Sequence, residues 1–523
     1  MHRTAILLTA LTGGLALAGA ANAAAARPCA ALLKAAVPGQ QVTITKAEAI
    51  PAKPGAKVTL NPAIPPLTVD MPAYCRVEGV IEPRTGVGGK PFGLKFALAL
   101  PDAWNGRFLF QGGGGLNGSV GAPLGQVAAG DKPALLRGFA VVATDSGHQG
   151  GVFDDAFMAD QEAALNFALF SVGKVTTAAK ALVAAHYGRG PERSYFAGCS
   201  TGGREAMEAT ERFPGYFDGV VAGAPAQRTS HSNMALAWAG TQFNRVAPKD
   251  ASGKPLPGQA FSKADRQLLM DRLAADCDGL DGLKDGIIFD GAACKFDPGE
   301  LTCAGAKTDA CLSPAQVEAL RLAYAGPRTK GGVQVYPGWR WDLGNNFQGA
   351  GLPGFLVNAG KAPVGPPNTA TEMDVDAAYA KVAADSGQSL IDTHVWTNLS
   401  SFFGHGGKVL YFHGVSDPWF SANDSVEYYG SLAAANGGEA KVRQAARLFL
   451  VPGMSHCGGG VNAVDRFDLL GAVVDWVEQG KAPASVPAYG PAGISRPLCP
   501  YPAHAQYNGA GDAKDAASFS CKE

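Results

Sequence analysis

Residues Gly198 to Gly202 spell GCSTG, which matches the G-x-S-x-G pattern around the nucleophile of many serine hydrolases. A short apolar run, RSYFAG, precedes the motif, and a helix-like run, REAMEATERF, follows it. The small residues permit the sharp strand-to-helix turn that lifts a serine hydroxyl above a sheet, and Ser200 would lie in the positive field of the helix N-terminus. The motif is weak by itself, so the prediction of a nucleophile at Ser200 depends on this context.

A serine hydroxyl needs a general base, and the base needs an orienting carboxylate. With this type of turn, the expected chain order is serine, acid and histidine. Asp417 follows the apolar run KVLYFHG and His456 follows ARLFLVPG, so we predict a triad of Ser200, Asp417 and His456 at one edge of a sheet. The alternative is that His456 is a structural loop residue. His413 is predicted to be a packed residue, and His148 fits the chain order less well because it precedes the serine.

The charge that develops on a substrate oxygen needs backbone N–H donors. One donor is predicted to be Thr201, directly after the serine. The second is predicted in the glycine loop QGGGGLNG, from Gln111 to Gly118, and we assign it to Gly114 within one residue. Glycine lets the backbone approach a substrate closely. A phosphate-binding loop is the alternative, but neither GKS nor GKT follows the glycines, which argues against it.

Two cysteines flank the predicted catalytic residues, because Cys199 precedes Ser200 and Cys457 follows His456. If the triad forms, these cysteines must lie close together, so we predict a disulfide that holds the base near the nucleophile. The chain has 10 cysteines. An even number in an exported chain favours five disulfides over free buried thiols, and no CxxC pair indicates a zinc site of that type.

Apolar runs alternate with helix-like runs on both sides of a long gap in the pattern. Buried strands are predicted at 107–111, 139–145, 193–198, 218–225, 408–414 and 446–453. Helices are predicted between these strands and at 465–480, where Gly480 is a plausible C-cap. The alternation predicts an α/β fold with a mainly parallel sheet covered by helices.

The gap holds many Gly, Pro and Asp residues and little strand pattern. We predict an inserted domain at 227–401, between core segments 24–226 and 402–523. Because the insertion separates two core strands, it should cover the C-terminal edge of the sheet, where ligands bind in such folds.

The N-terminus predicts export. Residues 1–23 combine a positive start at Arg3, an apolar stretch at 5–18 that is too short to span a membrane, and an Ala-Asn-Ala cleavage pattern at 21–23. No later segment is predicted to be long and apolar enough to cross a membrane. A net charge of -1 gives no indication of binding to nucleic acid or anionic lipid. We predict a soluble protein that is secreted or periplasmic.

The motifs GCSTGG, SDP and GMSHCGGG, together with the glycine loop, resemble the tannase and feruloyl esterase family, which includes mono(2-hydroxyethyl) terephthalate hydrolases. The resemblance extends over nearly the whole mature chain. It implies an α/β-hydrolase core with a large inserted lid, secretion, and hydrolysis of esters of aromatic acids. It also implies how the cysteines pair: Cys29–Cys75, Cys199–Cys457, Cys277–Cys294, Cys303–Cys311 and Cys499–Cys521.

The stretch DCDGLDGLKDGIIFD interleaves carboxylates with glycines, as a loop that binds a hard cation would. The EF-hand pattern fails because its twelfth residue is Ile rather than Glu, and a solvated acidic turn is the alternative. The resemblance implies a structural calcium ion, because lids of the family carry such a site. The implied ligands are the side chains of Asp278, Asp281 and Asp285 and the carbonyl groups of Leu283 and Ile287.

The lid is expected to supply the substrate pocket, and YPGWRWDLG offers Trp339, Arg340 and Trp341. The rings could stack on an aromatic acid, and Arg340 could bind a carboxylate or a phenol. The alternative is a lid core of two tryptophans with a surface arginine. Terephthalate monoester hydrolases of the family need a lid arginine for the free carboxylate, and residues 342–360 contain none, which argues against that activity.

These features predict a secreted serine esterase that hydrolyses feruloyl, hydroxycinnamoyl or galloyl esters through an acyl-enzyme. The alternatives are a mono(2-hydroxyethyl) terephthalate hydrolase, a noncatalytic binding protein on a hydrolase fold, and a peptidase of the same fold. The intact set of serine, acid and histidine favours the esterase. The expected partner is a small aromatic ester, no organic cofactor is expected, and the sequence predicts no particular oligomeric state.

Overall fold

A computed structural model describes residues 26–59, 66–346 and 368–523. The predicted signal peptide at 1–23 lies outside these ranges, as does most of the segment that follows Trp341 in the predicted lid.

Sixteen strands form within the described ranges: β1 Val42–Ile50, β2 Lys53–Val58, β3 Leu67–Met71, β4 Tyr74–Thr85, β5 Pro91–Pro101, β6 Arg107–Gln111, β7 Ala140–Thr144, β8 Arg193–Cys199, β9 Gly219–Gly223, β10 Lys408–Gly414, β11 Ala446–Val451, β12 Arg466–Phe467, β13 Val486–Tyr489, β14 Ser495–Leu498, β15 His504–Tyr507 and β16 Phe519–Lys522.

The same ranges contain twelve α-helices: α1 Gln161–Leu165, α2 Ser171–Tyr187, α3 Thr201–Arg212, α4 Thr229–Val246, α5 Lys263–Cys277, α6 Pro314–Ala325, α7 Val375–Ala383, α8 Ser386–Ile391, α9 Ser400–Gly404, α10 Ala422–Ala435, α11 Glu439–Val442 and α12 Leu469–Gln479. A π-helical turn at Asn166–Phe170 joins α1 to α2.

Nine strands form one sheet in the order β1-β4-β5-β7-β6-β8-β9-β10-β11. Neighbours from β7 to β11 in this order run parallel, whereas β1, β4 and β5 add an antiparallel edge. The predicted mainly parallel sheet is confirmed, and each of the six predicted strands is present. The sequence reasoning missed the antiparallel edge because those strands include Gly, Pro and exposed polar residues that interrupt an apolar run.

The two faces of the sheet carry separate hydrophobic cores. Along β6, Phe108 and Phe110 point into the core shared with α2 and α3, whereas Leu109 points into the core shared with α12. This follows from the two-residue repeat of a strand, which sends successive side chains to opposite faces. Helices therefore cover both faces, as the alternation of runs predicts.

Helix α12 begins later than the sequence predicts. Residues Arg466–Phe467 pair with β13 as a short strand, so the helix starts at Leu469 rather than at 465. Asp468 caps the N-terminus by accepting a hydrogen bond from Gly471 N, and Gly480 takes the left-handed conformation at the C-terminus, as predicted.

The chain between β9 and β10 forms helices α4 to α9, and no named strand occurs in its described residues. Helices α4 to α6 contribute to a hydrophobic cluster of the insertion, which includes Leu273, Leu320 and Tyr336. Leu399, near the end of the insertion, instead belongs to the core of the sheet. Two disulfides, Cys277–Cys294 and Cys303–Cys311, close short loops within this insertion. Part of the insertion therefore has a hydrophobic cluster and disulfides of its own.

The three other disulfides lie in the core segments and pair Cys29 with Cys75, Cys199 with Cys457 and Cys499 with Cys521. All five bridges are those that the family resemblance implies. Within the described ranges no cysteine remains free.

One expectation about membranes is wrong as stated. The helical stretch Gln161–Tyr187 is long and apolar enough, by length and composition, to cross a membrane. Several of its apolar residues, among them Val172, Val175 and Leu182, are buried in the core against the sheet. This stretch is a core helix in the folded chain, and burial inside a protein needs the same apolar composition as burial in lipid.

Candidate active site

Ser200 occupies a strained turn between β8 and α3. Its backbone dihedrals are φ 64° and ψ −125°, a conformation that residues other than glycine rarely adopt. Its N–H donates a hydrogen bond to Gly223 O at 3.0 Å. A Cβ atom on Gly198 would lie 2.2 Å from the carbonyl oxygen of Gly202. The two motif glycines therefore let the chain turn back on itself tightly enough to project Ser200 from the sheet edge.

Asp417 and His456 follow the C-terminal ends of β10 and β11, as predicted. The Nδ1 of His456 lies 2.6 Å from Oδ2 of Asp417, and Oδ1 of this fully buried carboxylate accepts hydrogen bonds from the N–H groups of Trp419 and Phe420. Burial alone would raise the pKa of Asp417. Attraction to His456 and hydrogen bonds from the neighbouring histidines outweigh burial and hold this pKa below its usual range. An ionised Asp417 can therefore orient the imidazole.

His413 supports the acid from behind. It is fully buried, and its Nε2 lies 3.4 Å from Asp417 Oδ2 and 3.0 Å from Phe420 O, while its Nδ1 lies 2.8 Å from Ser425 Oγ. The sequence predicts that His413 is packed, which agrees with its burial. It does not predict the contact of His413 with Asp417. Its position at the end of the strand that precedes Asp417 could have indicated this role.

Aromatic rings hold the imidazole of His456 in place. The indole of Trp419 stacks on it with centroids 5.1 Å apart, and the ring of Phe420 approaches edge-on at 5.3 Å. The Nε2 of His456 has no hydrogen-bond partner among the described residues, and both His456 and Ser200 line the same cleft. This nitrogen is therefore available to exchange a proton with a group in the cleft.

The glycine loop after β6 packs on the start of α3. Gly112 N donates to Ala197 O, and Gly113 N donates to the side chain of Glu205, so neither can serve an oxyanion. The N–H groups of Gly114 and Thr201 have no acceptor in the described part of the chain, and Gly114 lines the cleft. The predicted donors Gly114 and Thr201 are thus both available, although Gly115 N–H is equally unengaged.

The cleft that contains Ser200 and His456 has a volume of about 540 Å³. Four aromatic residues contribute to its wall: Phe153, Phe412, Trp419 and Phe467. Arg466 also lines it, with a side chain that is 44% exposed and lies 3.6 Å from Asp131. The sequence reasoning singled out none of these as substrate contacts. The run SDPWF, which sets Trp419 next to the acid, was the available indication.

The three lid residues predicted to bind substrate are not among the residues that line this cleft. Trp339 is buried in the core of the insertion, where its Nε1 donates to Asp417 O at 3.2 Å. Trp341 stacks on Tyr324 with centroids 3.6 Å apart, and Arg340 Nε donates to Asn423 Oδ1. The alternative of a tryptophan-rich lid core describes this arrangement better. Trp339 contacts the loop that carries Asp417 through this hydrogen bond.

The acidic loop follows α5 in the insertion. Asp278 Oδ1 accepts N–H groups of Asp285, Gly286 and Ile287, and the two oxygens of Asp281 accept those of Leu283 and Phe289. Asp285 pairs with the buried Arg496. Among the described residues, no group of three His, Cys, Asp or Glu side chains is arranged to hold one metal ion. The predicted calcium site is therefore not confirmed.

Comparisons with known proteins agree in the type of protein that they identify. A family model for tannase and feruloyl esterase matches residues 75–358 and 366–522. A mono(2-hydroxyethyl) terephthalate hydrolase from Piscinibacter sakaiensis is 40% identical over 516 residues, with 86% of this chain and 85% of that protein covered. A probable feruloyl esterase from Arthroderma benhamiae is 30% identical over 546 residues, which cover 94% and 93%. The crystal structure of feruloyl esterase B from Aspergillus oryzae has a TM-score of 0.72 at 27% identity, with 92% and 97% covered.

The disulfide between Cys199 and Cys457 joins the residue before Ser200 to the residue after His456 across 258 positions of chain. We expect the double variant C199A/C457A to lose most of its turnover of an aryl ester, because the bridge holds base and nucleophile together. The matched variant C29A/C75A removes a bridge near the N-terminus of the core and should lower the melting temperature while keeping kcat. Parental kcat in folded C199A/C457A would show that the bridge only stabilises the fold.

Proposed function

This chain belongs to the tannase and feruloyl esterase family and is a carboxylic ester hydrolase, and from that premise we propose that it cleaves esters of aromatic acids through an acyl-enzyme on Ser200. The observation that carries the proposal is the pair formed by His456 and the buried Asp417 at 2.6 Å. His456, whose Nε2 has no hydrogen-bond partner among the described residues, lines the same cleft as Ser200.

In the proposed reaction, the hydroxyl oxygen of Ser200 attacks the ester carbonyl carbon while Nε2 of His456 takes the hydroxyl proton. Asp417 stabilises the resulting imidazolium, and the N–H groups of Gly114 and Thr201 donate to the oxyanion. The tetrahedral intermediate collapses when His456 returns the proton to the leaving alcohol. His456 then deprotonates a water molecule, whose oxygen attacks the acyl carbon. The C–O bond to Ser200 breaks as His456 returns the proton to the Ser200 oxygen, which releases the acid.

A noncatalytic binding protein and a peptidase are less well supported than an esterase. A noncatalytic chain needs no carboxyl group buried against a histidine that lines a cleft together with a serine, whereas this chain has this arrangement. The named relatives are ester hydrolases rather than peptidases. Turnover of a chromogenic aryl ester, compared with a peptide anilide, separates these activities.

The aromatic wall of the cleft supports an aromatic acyl group. Trp419 and Phe153 form an edge-to-face pair with centroids 5.9 Å apart, and Trp419 also stacks on His456. Rings held this way offer flat apolar surfaces next to the reacting atoms, and a planar acid loses little conformational freedom when it binds them. We therefore assign acid recognition to Trp419 and Phe153 instead of the predicted Trp339 and Trp341.

A terephthalate monoester is a second candidate substrate. Arg340, the arginine considered in the sequence analysis, bonds Asn423 away from the cleft. Arg466 lines the cleft and is partly exposed, and Asp131, which also lines the cleft, lies 3.6 Å from its guanidinium. A guanidinium in this position can bind a free carboxylate of the acid, and the relative from Piscinibacter sakaiensis is a hydrolase of such a monoester.

A structural calcium ion at the acidic loop is also part of the proposal. Burial raises the pKa of Asp278 and raises that of Asp281 to about 7, and the nearby charge of Asp285 adds to both effects. Arg496 pairs with Asp285, and within the described ranges no Lys or Arg side chain pairs with Asp278 or Asp281. A hard divalent cation would suit them. The side chains of Asp278, Asp281 and Asp285 and the carbonyls of Leu283 and Ile287 would hold it.

We also propose that the protein is exported and works as a secreted or periplasmic enzyme. Five disulfides support this location, because such bridges persist mainly in oxidising compartments. The net charge of -1 gives no support for a nucleic acid or a charged membrane surface as a partner.

Replacement of Ser200 by Ala should abolish ester hydrolysis, with kcat lower by ~10^4-fold or more, because no other group replaces the nucleophile. The change removes only one oxygen, so circular dichroism and melting temperature should match the parent. S194A, at the opposite end of the same strand, is the control and should keep parental kcat. If folded S200A retains more than a few per cent of parental turnover, the nucleophile is a different residue.

We expect kcat/KM for methyl ferulate or methyl gallate to exceed that for a long-chain para-nitrophenyl ester by about tenfold or more. A flexible alkyl chain must give up rotamer freedom to enter a rigid aromatic cleft, whereas a planar ring does not. A tenfold preference for the long-chain ester would instead identify a lipase-like hydrolase. In the same panel, R466Q should weaken hydrolysis of a terephthalate monoester while sparing methyl ferulate.

Calcium should raise the melting temperature of the parent protein, and a chelator should lower it, because an ion that binds only the folded state stabilises that state. D281N should lose this response. D276N is the matched control and should keep it, since Asp276 pairs with Arg272 and is outside the proposed ligand set. If calcium leaves the melting temperature unchanged and native mass spectra show no bound ion, the site is excluded.

A further inference from the structure

Glu205 is a fully buried acidic residue on α3, the helix that begins directly after Ser200. The proposed reaction does not use it. No Lys or Arg side chain in the described ranges forms an ion pair with it. Burial of an unpaired carboxylate is unfavourable unless hydrogen-bond donors surround it. The identity of these donors indicates what the residue does.

All of the donors to Glu205 come from the two loops that flank the oxyanion donors. Oε2 accepts the N–H of Gly113 at 2.8 Å, and Oε1 accepts the side chains of Asn117 at 2.6 Å and Ser146 at 2.8 Å. Gly113 and Asn117 belong to the glycine loop after β6, and Ser146 follows β7. Glu205 thus connects the nucleophile helix to both loops through one side chain.

Two bonds from α3 fix the peptide groups on either side of Gly113. Its N–H is held by Glu205, and its carbonyl accepts the N–H of Gly202 at 3.0 Å. Because a trans peptide is planar, the N–H of Gly114 must point opposite to the Gly113 carbonyl, and therefore away from Gly202. The direction of this donor depends on how Gly113 is held.

The neighbouring glycines show that this loop is pressed tightly against its surroundings except at Gly114. An added Cβ would lie 2.6 Å from Gly202 Cα at Gly112, 2.1 Å from Asn117 Oδ1 at Gly113 and 2.4 Å from Val152 O at Gly115. At Gly114 it would meet nothing within 4 Å. The loop is clamped on both sides of the one residue that faces open space.

We propose that Glu205 is a positioning residue that aims the Gly114 N–H at the oxyanion by holding Gly113. The inference rests on the proposed esterase function. What matters is that the Glu205 side chain places a hydrogen-bond acceptor at Gly113 N–H, not that it carries a charge. A glutamine at 205 can still accept from Gly113, because its amide can face Asn117 and Ser146. Asn117 Oδ1 has no partner among the described residues, so a flipped Asn117 amide can accept from that glutamine.

The test compares E205D with E205Q on methyl ferulate. E205D keeps the charge but withdraws the acceptor from Gly113, so we expect kcat to fall about tenfold while KM stays within about twofold. This is less than the ~10²–10³-fold loss on deleting an oxyanion donor, because the donor is tilted and not removed. E205Q keeps the length and should remain within about threefold of the parent. A general structural role would instead lower the melting temperature of both variants without separating kcat from KM.

Hydrogen exchange of the peptide that covers 112–118 gives a second measurement that needs no turnover. Exchange should quicken in E205D and stay near the parental rate in E205Q. Labelling of the parent by a serine-directed fluorophosphonate tests the proposed function separately. Parental kcat and parental exchange in E205D would overturn the proposal, and so would a folded E205Q with a tenfold loss of kcat, since charge would then be the essential property.

Discussion

The proposed active site depends on keeping the carboxylate of Asp417 ionised where no water reaches it. Asp417 is completely buried, and a buried charge is stable only when donors and opposite charge surround it. Its own loop supplies two N–H donors, His413 approaches from the strand behind, and His456 closes the remaining side. The residues around the ends of β10 and β11 thus supply the hydrogen-bond donors and the positive charge that stabilise this carboxylate.

Parts of the chain that are distant in sequence are fixed to that shell. The Cys199–Cys457 bridge joins the serine turn to the histidine loop, and Trp339 of the insertion donates to the backbone of Asp417. The insertion therefore supports the acid loop as well as adjoining the sheet edge. On the helix that follows Ser200, Glu205 accepts hydrogen bonds from the glycine loop and from the loop after β7. The proposed base, nucleophile and oxyanion donors are each held by neighbouring residues, which is how a site becomes preorganised.

The position of the aromatic residues shows where sequence reasoning about specificity fails. Trp339 and Trp341 lie in the segment predicted to form a lid, but both are packed inside it. Large aromatic side chains fill a core as readily as they line a pocket, and a sequence does not state which neighbours they meet. Trp419 lies two residues after Asp417 in the chain, and this position places it near His456, on which it stacks. Proximity to a catalytic residue in the chain was a better guide than membership of the insertion.

The sequence alone determined the features that depend on local pattern and chain order. Apolar runs located six strands, and strand ends located Ser200, Asp417 and His456, because parallel strands bring their C-terminal ends to one edge of a sheet. Adjacency in the chain also located the Cys199–Cys457 bridge. Tertiary structure decided which side chains line the cleft, that His413 and Glu205 support the site, and that Asp285 meets Arg496 from far along the chain. These contacts join residues whose spacing carries no repeat, so only the packed fold brings them together.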